Sequence, residues 1–533
     1  MSTPRGAETP LNDVESVMAE IWESVLHVDN VGPDDDFFAL GGDSLLAIQI
    51  ISAAEQRGLP LKLVDLFKRP DLRGSCETLS AAAGGGTAPA ADLLTQEDRD
   101  QLPAGVEAAY PMTRLQLGLL FESAASEGSL YIDVVSREIL LPLDVEVLHQ
   151  TLDLVVRRHP ILRTRFDLGG YSEPLQLVEK QATIDLELDD LRELTDEEVV
   201  ARRSATMEKL DRPFDTEGVP LIRAHAAPTG QDSFRLSFAF HHAIFDGWSE
   251  SVFTLELIKT YHALLRGEQP SFATPAPFAE FVRLEREALA DEGQRRFFDR
   301  FKVEDTGVKP ARRSATPVPH KVSVLTPLPT VESLAALSTA WSLPIKSLVV
   351  AAYYTAVEAA FGRGQVAGLS MSGRPEQPGG DLTLGLFLNH LPVRLSSSGT
   401  TWRELARQAF EAERELLPQR RFPYSEVIEI LGRRPFDVAL NFVHFHNRDE
   451  LISQGLIAVD EDWLDSTSVP IRVEGIYDPQ AYGLQLDVTV DTVRHPEQLA
   501  AEMANTMLAV FDKLIHHPDE RVDAVPALGD LTS

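Results

Sequence analysis

Along the first eighty positions apolar residues recur with the period of a helix; beyond them that period mixes with the two-residue period of strands. In residues 11–28, LNDVESVMAEIWESVLHV, Val14, Val17, Met18, Ile21, Trp22 and Val25 share one face with acidic residues between them, which predicts an amphipathic helix. The polar turn DNVGPDDD leads into FFALGGDSLLAIQIISAAEQRG, where two glycines precede a second helix carrying Leu46, Ile50 and Ala54 on one side, so Ser44 stands at or beside its N-terminus. VDLFKRP and DLRGSCETLSAAA, with Leu72, Cys76 and Leu79 facing inward, complete a four-helix pattern. Residues 234–249, FRLSFAFHHAIFDGWS, read differently. Phe234, Leu236, Phe238 and Phe240 alternate with Arg235, Ser237 and Ala239, which predicts a strand with one buried face and with His241 and His242 at its exit. Asp246-Gly247 then turns the chain, and Ser249 is placed to cap a helix running through Val252, Leu255, Ile258 and Leu265 to a stop at Gly267.

These patterns divide the chain. Residues 10–82 form the small all-α unit, and 83–107 a linker rich in Gly, Ala, Pro and polar residues. A flexible chain from 83 to 103 spans about 25 Å root-mean-square by the square-root rule, enough for the small unit to relocate over its neighbour. From 108 to 525 strands and helices mix without a repeat, an α/β pattern in two halves, 108–276 and 277–525.

Composition narrows the function classes. A formal charge of −33 leaves no surplus for the basic face that nucleic-acid phosphates or an anionic membrane require. The single cysteine, Cys76, excludes an intrachain disulfide framework and suits a reducing cytoplasm. No run of about 18 apolar residues occurs, and the first residues lack the apolar core of a signal peptide.

Two stretches carry candidate chemistry. His241 and His242 at a strand exit, four residues before an aspartate, have the look of a reaction centre, although single histidines at such places are usually packing residues. A zinc site fits poorly: neighbours on a strand point to opposite faces and no third ligand lies at metal-site spacing. A serine after GGD is by itself a helix cap.

HHAIFDG at 241–247 is similar to the HHxxxDG signature of the condensation-domain superfamily of nonribosomal peptide synthetases, and further stretches resemble that family's motifs in the family's order. YPMTRLQLGLLF at 110–121 resembles the first and RRHPILRTRF at 157–166 the second; PFAEFVRLE at 277–285 is a weak fourth without the usual Trp. LGLFLNHLPVRL at 384–395 resembles the fifth, with His390 where a small polar residue is commoner. RFPYSEVIEIL and RRPFDVALNFVHFH cover the sixth and seventh loosely. FFALGGDSLLAIQI resembles the carrier-protein signature whose serine receives 4′-phosphopantetheine, which makes Ser44 the attachment site. A helix N-terminus offers free N–H groups and positive potential to a phosphate ester.

The resemblance implies a four-helix carrier domain followed by a two-lobed, chloramphenicol acetyltransferase-like condensation domain with a tunnel open at both faces. The reaction it implies is aminolysis of a thioester: an acyl or peptidyl group on the Ser44 arm is attacked by the amine of an aminoacyl group on a downstream carrier protein, giving a peptide bond. Holding two arms end to end converts an encounter into an effectively unimolecular step. An α-amine titrates near pH 8, so a useful fraction is neutral without help, but it must shed a proton as it attacks. His242 is the candidate to accept that proton or to aim the amine. The backbone at Gly247 is the candidate oxyanion donor. Asp246 can be read as a second catalytic carboxylate; the resemblance instead implies that it pairs with Arg374 of SGRP to hold the loop in shape, with His241 turned away as a supporting residue of the catalytic motif. His159, His444 and His446 are packing or surface residues. His390 is the exception to watch, because its motif borders the tunnel in the family.

An upstream adenylation domain to load Ser44 and a phosphopantetheinyl transferase to modify it are the further implied partners. No adenylation signature is present, and the chain reads as a piece of a longer synthetase, monomeric by itself, with Ser533 in the next linker. The first motif resembles that of members taking a D-configured or achiral donor end. Three rivals stand beside this reading. An epimerization domain also follows a carrier with GGDS, but usually continues with a Trp after the serine, where this chain runs Gly247-Trp248-Ser249. A heterocyclization domain replaces the histidines with aspartate. A catalytically silent docking module usually loses the second histidine.

Overall fold

In the computed structural model the chain is described over residues 11–42, 44–79, 93–126, 130–302, 317–444, 446–465, 467, 469–478 and 483–522. The first four helices are Asp13–Leu26, Ser44–Gln56, Leu63–Lys68 and Leu72–Leu79. Asn12 caps the first through a reciprocal box with Glu15. Met18, Ile21, Trp22, Phe37, Phe38, Leu46, Ile50, Phe67 and Leu72 form their core. Val14 is turned out instead, 39% exposed, because the buried stripe is narrower than the apolar pattern suggests. Gly42 lies so close to the Phe37 ring that a Cβ there would come within 2.4 Å of it, so only glycine lets the loop descend onto the core just before the second helix begins.

Residues 80–92, the last of the expected small unit and the first of the expected linker, lie outside the described residues. The remainder is less loose than its composition suggests: Thr95 caps the helix Gln96–Asp100, and buried Asp98 accepts a 2.8 Å hydrogen bond from Ser172 N.

Beyond it the described residues form three sheets. One of three strands joins Val106–Pro111, Leu175–Glu179 and Thr164–Asp167. A six-stranded sheet runs Leu388–Val393, Ala367–Ser372, Val438–Val443, Ile471–Asp478, Gly483–Asp491, Pro319–Thr326. A five-stranded sheet runs Ile457–Leu464, Ile132–Ile139, Phe234–His241, Ile222–Pro228, Leu186–Leu188. Its first strand belongs by sequence to the C-terminal half yet pairs antiparallel with Ile132–Ile139, so the two halves are laced together rather than merely apposed. The crossing strand is held by charge. Glu461 accepts from Arg137 at 2.8 Å and Asp462 from Arg235 at 2.7 Å, and Arg137 is also paired with Glu250. Buried carboxylates and guanidiniums persist because they face each other.

Phe234–His241 is buried along its whole length, not on one face. It is an inner strand, with Ile222 opposite Phe240 on one side and Asp133 on the other. Its second face packs Ala239 against Met207 and Leu210 of the helix Asp196–Leu210. The helix Ile345–Phe361, apolar on nearly every side, is buried behind the six-stranded sheet. No single helix among the described residues is long and apolar enough to cross a membrane.

The carrier rests on the C-terminal lobe. Phe38 meets Phe410 edge-on at 5.1 Å and Phe67 stacks on it at 6.2 Å. Thr339 Oγ1 donates to Ala39 O at 3.2 Å, and Gly379 N to Ser52 Oγ at 3.3 Å.

One buried acid ties the fourth motif to the first. Glu285 of the helix Phe278–Ala290 accepts Arg114 N–H at 2.8 Å where the helix Arg114–Ala125 begins, and burial pushes its carboxyl from 4.5 up to about 8. A folded-state value raised above the unfolded one adds stability that is complete below the unfolded value and lost as pH rises through the folded one. Glu285→Gln keeps an acceptor for Arg114 N–H, so the fall in urea midpoint between pH 5 and 8 should be shallower in the variant than in the wild type.

Candidate active site

His242 follows directly on the inner strand, and its position is set from three directions. Its backbone N–H donates to Tyr131 O at 2.7 Å, which keeps it in step with the neighbouring strand. Its ring Nδ1 lies 2.5 Å from Phe245 O. A carbonyl only accepts, so Nδ1 carries the hydrogen and Nε2 presents its lone pair. The loop carrying Phe245 is gripped in turn by Gln116 of the first motif, whose Nε2 donates to Ala243 O at 3.1 Å and to Gln176 Oε1 at 3.0 Å. Burial holds the His242 imidazole below its ordinary value, against the opposing pull of the Phe245 carbonyl and Asp246. The ring is thus neutral at neutral pH, with an available base nitrogen.

His241 points to the opposite face. It is 1% exposed, its Nδ1 accepts Ala243 N–H at 3.1 Å, and burial pulls it down to about 3. Such a ring is a neutral packing group.

Asp246, not Ser249, caps the helix Gly247–Leu265: its carboxylate accepts Ser249 N–H at 2.8 Å. The Ser249 hydroxyl is spent elsewhere, donating to Gly385 O at 2.7 Å and accepting from Arg374 Nη2 at 2.7 Å. Arg374 has no exposed surface. Its Nη2 reaches Asp246 at 3.1 Å, its Nη1 donates to the Thr383 and Gly380 carbonyls, and its guanidinium lies over the Phe387 ring. Asp246 Oδ2 also accepts Phe387 N–H at 3.1 Å. With its oxygens so engaged, Asp246 is a fastener between the lobes.

From the other lobe comes His390, whose Nδ1 is 2.9 Å from Ser370 Oγ and which burial and the facing His242 hold at about 4. Its neighbour Asn389 is structural: Nδ2 donates to Phe422 O at 2.7 Å and Arg420 O at 3.1 Å. Asp133 is a residue the sequence patterns do not single out. It lies on Ile132–Ile139, 5% exposed, with Oδ2 3.6 Å from His242 Nδ1. A carboxylate set among Leu130, Tyr131, Ile132, Val134 and Val135 is the available signal. His159 bonds Glu256 at 2.7 Å and is buried packing; His444 sits edge-on to Tyr477 at 4.9 Å. The His446 side chain lies outside the described residues. Among the described residues no group of three or more His, Cys, Asp or Glu is arranged to hold a metal ion.

A pocket open to solvent lies at the far end of the histidine loop. Its wall includes Asp246, Gly247 and Trp248 at the end of the histidine loop and Ser370 beside His390. Ile48 and Leu63 of the carrier also line it. Ser44 opens the helix Ser44–Gln56, and Ile48 follows one turn later.

Comparison with known proteins gives two family matches. Residues 106–532 match the family described as condensation domain, and residues 16–79 the phosphopantetheine attachment site. AMB antimetabolite synthetase AmbE of Pseudomonas aeruginosa is 34% identical over 96% of this chain and a quarter (25%) of its own length. A linear gramicidin synthase of Brevibacillus parabrevis is 30% identical over 80% of this chain and 6% of its own. The chain thus spans a quarter or less of these relatives. Among solved structures, the condensation domain of the monacolin K polyketide synthase MokA superposes with a TM-score of 0.67 at 16% identity, covering 78% of this chain and 100% of that one. The first condensation domain of the calcium-dependent antibiotic synthetase gives 0.65 at 20%, covering 78% and 98%.

Proposed function

The chain belongs to the condensation-domain family of nonribosomal peptide synthetases, preceded by a phosphopantetheine attachment domain, and from that premise we propose that it joins an acyl or peptidyl donor held on Ser44 to the amine of an aminoacyl group on a downstream carrier, forming a peptide bond beside His242. The observation that carries this reading is the shared cavity: carrier residues Ile48 and Leu63 and the Asp246–Trp248 turn line one space.

The pantetheine arm supplies the donor carbonyl as a thioester. His242 Nε2, with Nδ1 tied to Phe245 O, accepts the proton that the attacking amine sheds. The Gly247 and Trp248 N–H groups, which precede the two that Asp246 takes, are the donors offered to developing negative charge on the carbonyl oxygen. The N–C bond forms as the C–S bond breaks, and the proton passes to the departing sulfur. Asp246 and Arg374 keep the loop in shape. An upstream adenylation domain loads the arm, and a phosphopantetheinyl transferase installs it. The chain works in the cytoplasm, where Cys76 stays reduced.

The test loads Ser44 with an acetylglycyl-pantetheine arm, adds a separate carrier bearing an aminoacyl group, and follows both proteins by intact mass. Movement of the donor mass onto the acceptor supports the reading. Solvent deuterium entering the donor α-position without transfer defeats it. Docking has its own test. Phe410→Ala removes the ring between Phe38 and Phe67, a contact of the size that costs roughly 1–2 kcal/mol at an interface. Transfer from Ser44 should slow about tenfold. Transfer from a soluble acetylglycyl N-acetylcysteamine thioester should be unchanged.

A further inference from the structure

His242 has a neighbour that neither the motif nor the proposed chemistry uses. Asp133 lies opposite Phe240 in the antiparallel pair, so its side chain shares a face with Phe240 and, two residues on, with His242. The next residues in each direction, Ile132 and Val134, face the other way, into the cluster with Met207 and Leu210. Asp133 Oδ2 therefore stands diagonally across from the imidazole, 3.6 Å from Nδ1, an ionic rather than a hydrogen-bonding distance.

The surroundings give Asp133 no simpler purpose. The charged and titratable groups that face it and His242 are Asp246 and His241 on the loop, Glu250 on the helix Gly247–Leu265, Asp211 just past the helix Asp196–Leu210, and, from the other lobe, Arg472 and Glu474 on Ile471–Asp478 and His390 on Leu388–Val393. Arg472 is the one cation among them; it pairs with Asp465 and its charge opposes the effect of burial on the Asp133 carboxyl, but among the described residues it does not come within ion-pair range of Asp133. The group in ion-pair range of Asp133 is His242, and only once that ring is protonated.

We propose that Asp133 is a positioning residue for His242: its carboxylate stabilises the imidazolium that forms when Nε2 takes the proton of the attacking amine, and so decides over which pH range His242 works as a base. The identity of that proton donor rests on the peptide-bond reading above. The step balances: the amine loses one proton to Nε2, Nδ1 keeps its hydrogen on Phe245 O, and the proton on Nε2 leaves with the departing sulfur, returning the ring to its neutral form. Burial pushes the Asp133 carboxyl up to about 7, so it gains its charge across the range in which the reaction would run.

Two readouts test this on the full chain carrying its arm. The first follows the ring carbons of ¹³C-labelled histidines by NMR through a pH titration, with His242→Gln identifying the resonance. Removing an opposite charge at this range should lower the His242 midpoint by about one pH unit or more in Asp133→Asn. Asp133→Glu, which keeps the charge, should restore most of it. The second follows turnover against pH with glycyl N-acetylcysteamine thioester as acceptor. The wild type should show a rise in rate near pH 7 in addition to the limb of the amine itself. Asp133→Asn should lack the first rise and run at least tenfold slower. An unchanged His242 midpoint in Asp133→Asn overturns the pairing whatever the turnover. A lowered midpoint with an unaltered rate profile overturns the role in proton transfer. Failure of the wild type to use any acceptor sinks the peptide-bond reading instead, and the midpoint then decides the pairing alone.

Discussion

Replacing His242 by alanine should lower peptide transfer from a loaded Ser44 by about 10²–10⁴-fold, the usual worth of a positioned base, while loading of Ser44 and the fold are untouched. The expectation comes from how the ring is held. It makes one side-chain hydrogen bond, to Phe245 O, and sits at the end of a strand whose register is fixed by Tyr131 O, so its loss unpairs little. What disappears is the nitrogen lone pair that the ring presents. Because His242 is depressed below its ordinary value, its ring stays an unprotonated base through neutral pH, so the fall in wild-type rate on acidification should follow the amine and Asp133 before it follows the ring itself. His241→Ala gives the contrast: a fully buried neutral ring leaves a cavity and an unpaired Ala243 N–H, so the loss there is chiefly in stability. Single-turnover transfer by intact mass, beside urea midpoints for both variants, separates the two. Near-wild-type transfer by His242→Ala would remove any base role and leave the catalysis to alignment of the two arms.

The parts of this molecule written in short stretches are legible without coordinates. The carrier helices announce themselves through Trp22, Ile50 and Leu72 at helical spacing, and the motifs of the larger domain keep a fixed order, because each is a local device. What is silent arises between stretches. Asp133 becomes interesting only through antiparallel register with Phe240. The crossing strand Ile457–Leu464 reads as an ordinary alternating segment, and nothing local says that its partner is Ile132–Ile139 rather than a strand of its own half. Ser249 is the natural cap by residue type; Asp246 takes the role because Arg374 and Gly385, from far along the chain, claim the serine hydroxyl. The flanks of the inner strand look half polar for the same reason: Arg235 is buried against Asp462, a partner more than two hundred residues away.

Arg374→Ala should cost about 3–5 kcal/mol of stability, the largest single loss expected from one side chain here, and with it nearly all transfer activity. The guanidinium has no exposed surface, and burial pulls it below its usual value while Asp246 opposes that pull. Deleting it leaves the Asp246 carboxylate buried against an empty space and takes a donor from the Thr383 and Gly380 carbonyls and from the Ser249 hydroxyl together. A surface ion pair would matter little; this one spans the two lobes and fixes the turn that begins four residues after His242. Asp246→Asn should be milder in stability, since an amide oxygen still accepts Ser249 N–H, and it should leave the shape of the pH–rate profile as it is, which a catalytic carboxylate would not. In the double variant Asp246→Leu with Arg374→Leu the two losses should fall well short of adding, because neither leaves the other a buried unpaired charge. Urea midpoints at constant m-value give the stabilities. Strict additivity, or a pH profile altered by Asp246→Asn, would show that Asp246 acts on the reaction itself rather than through the loop it fastens.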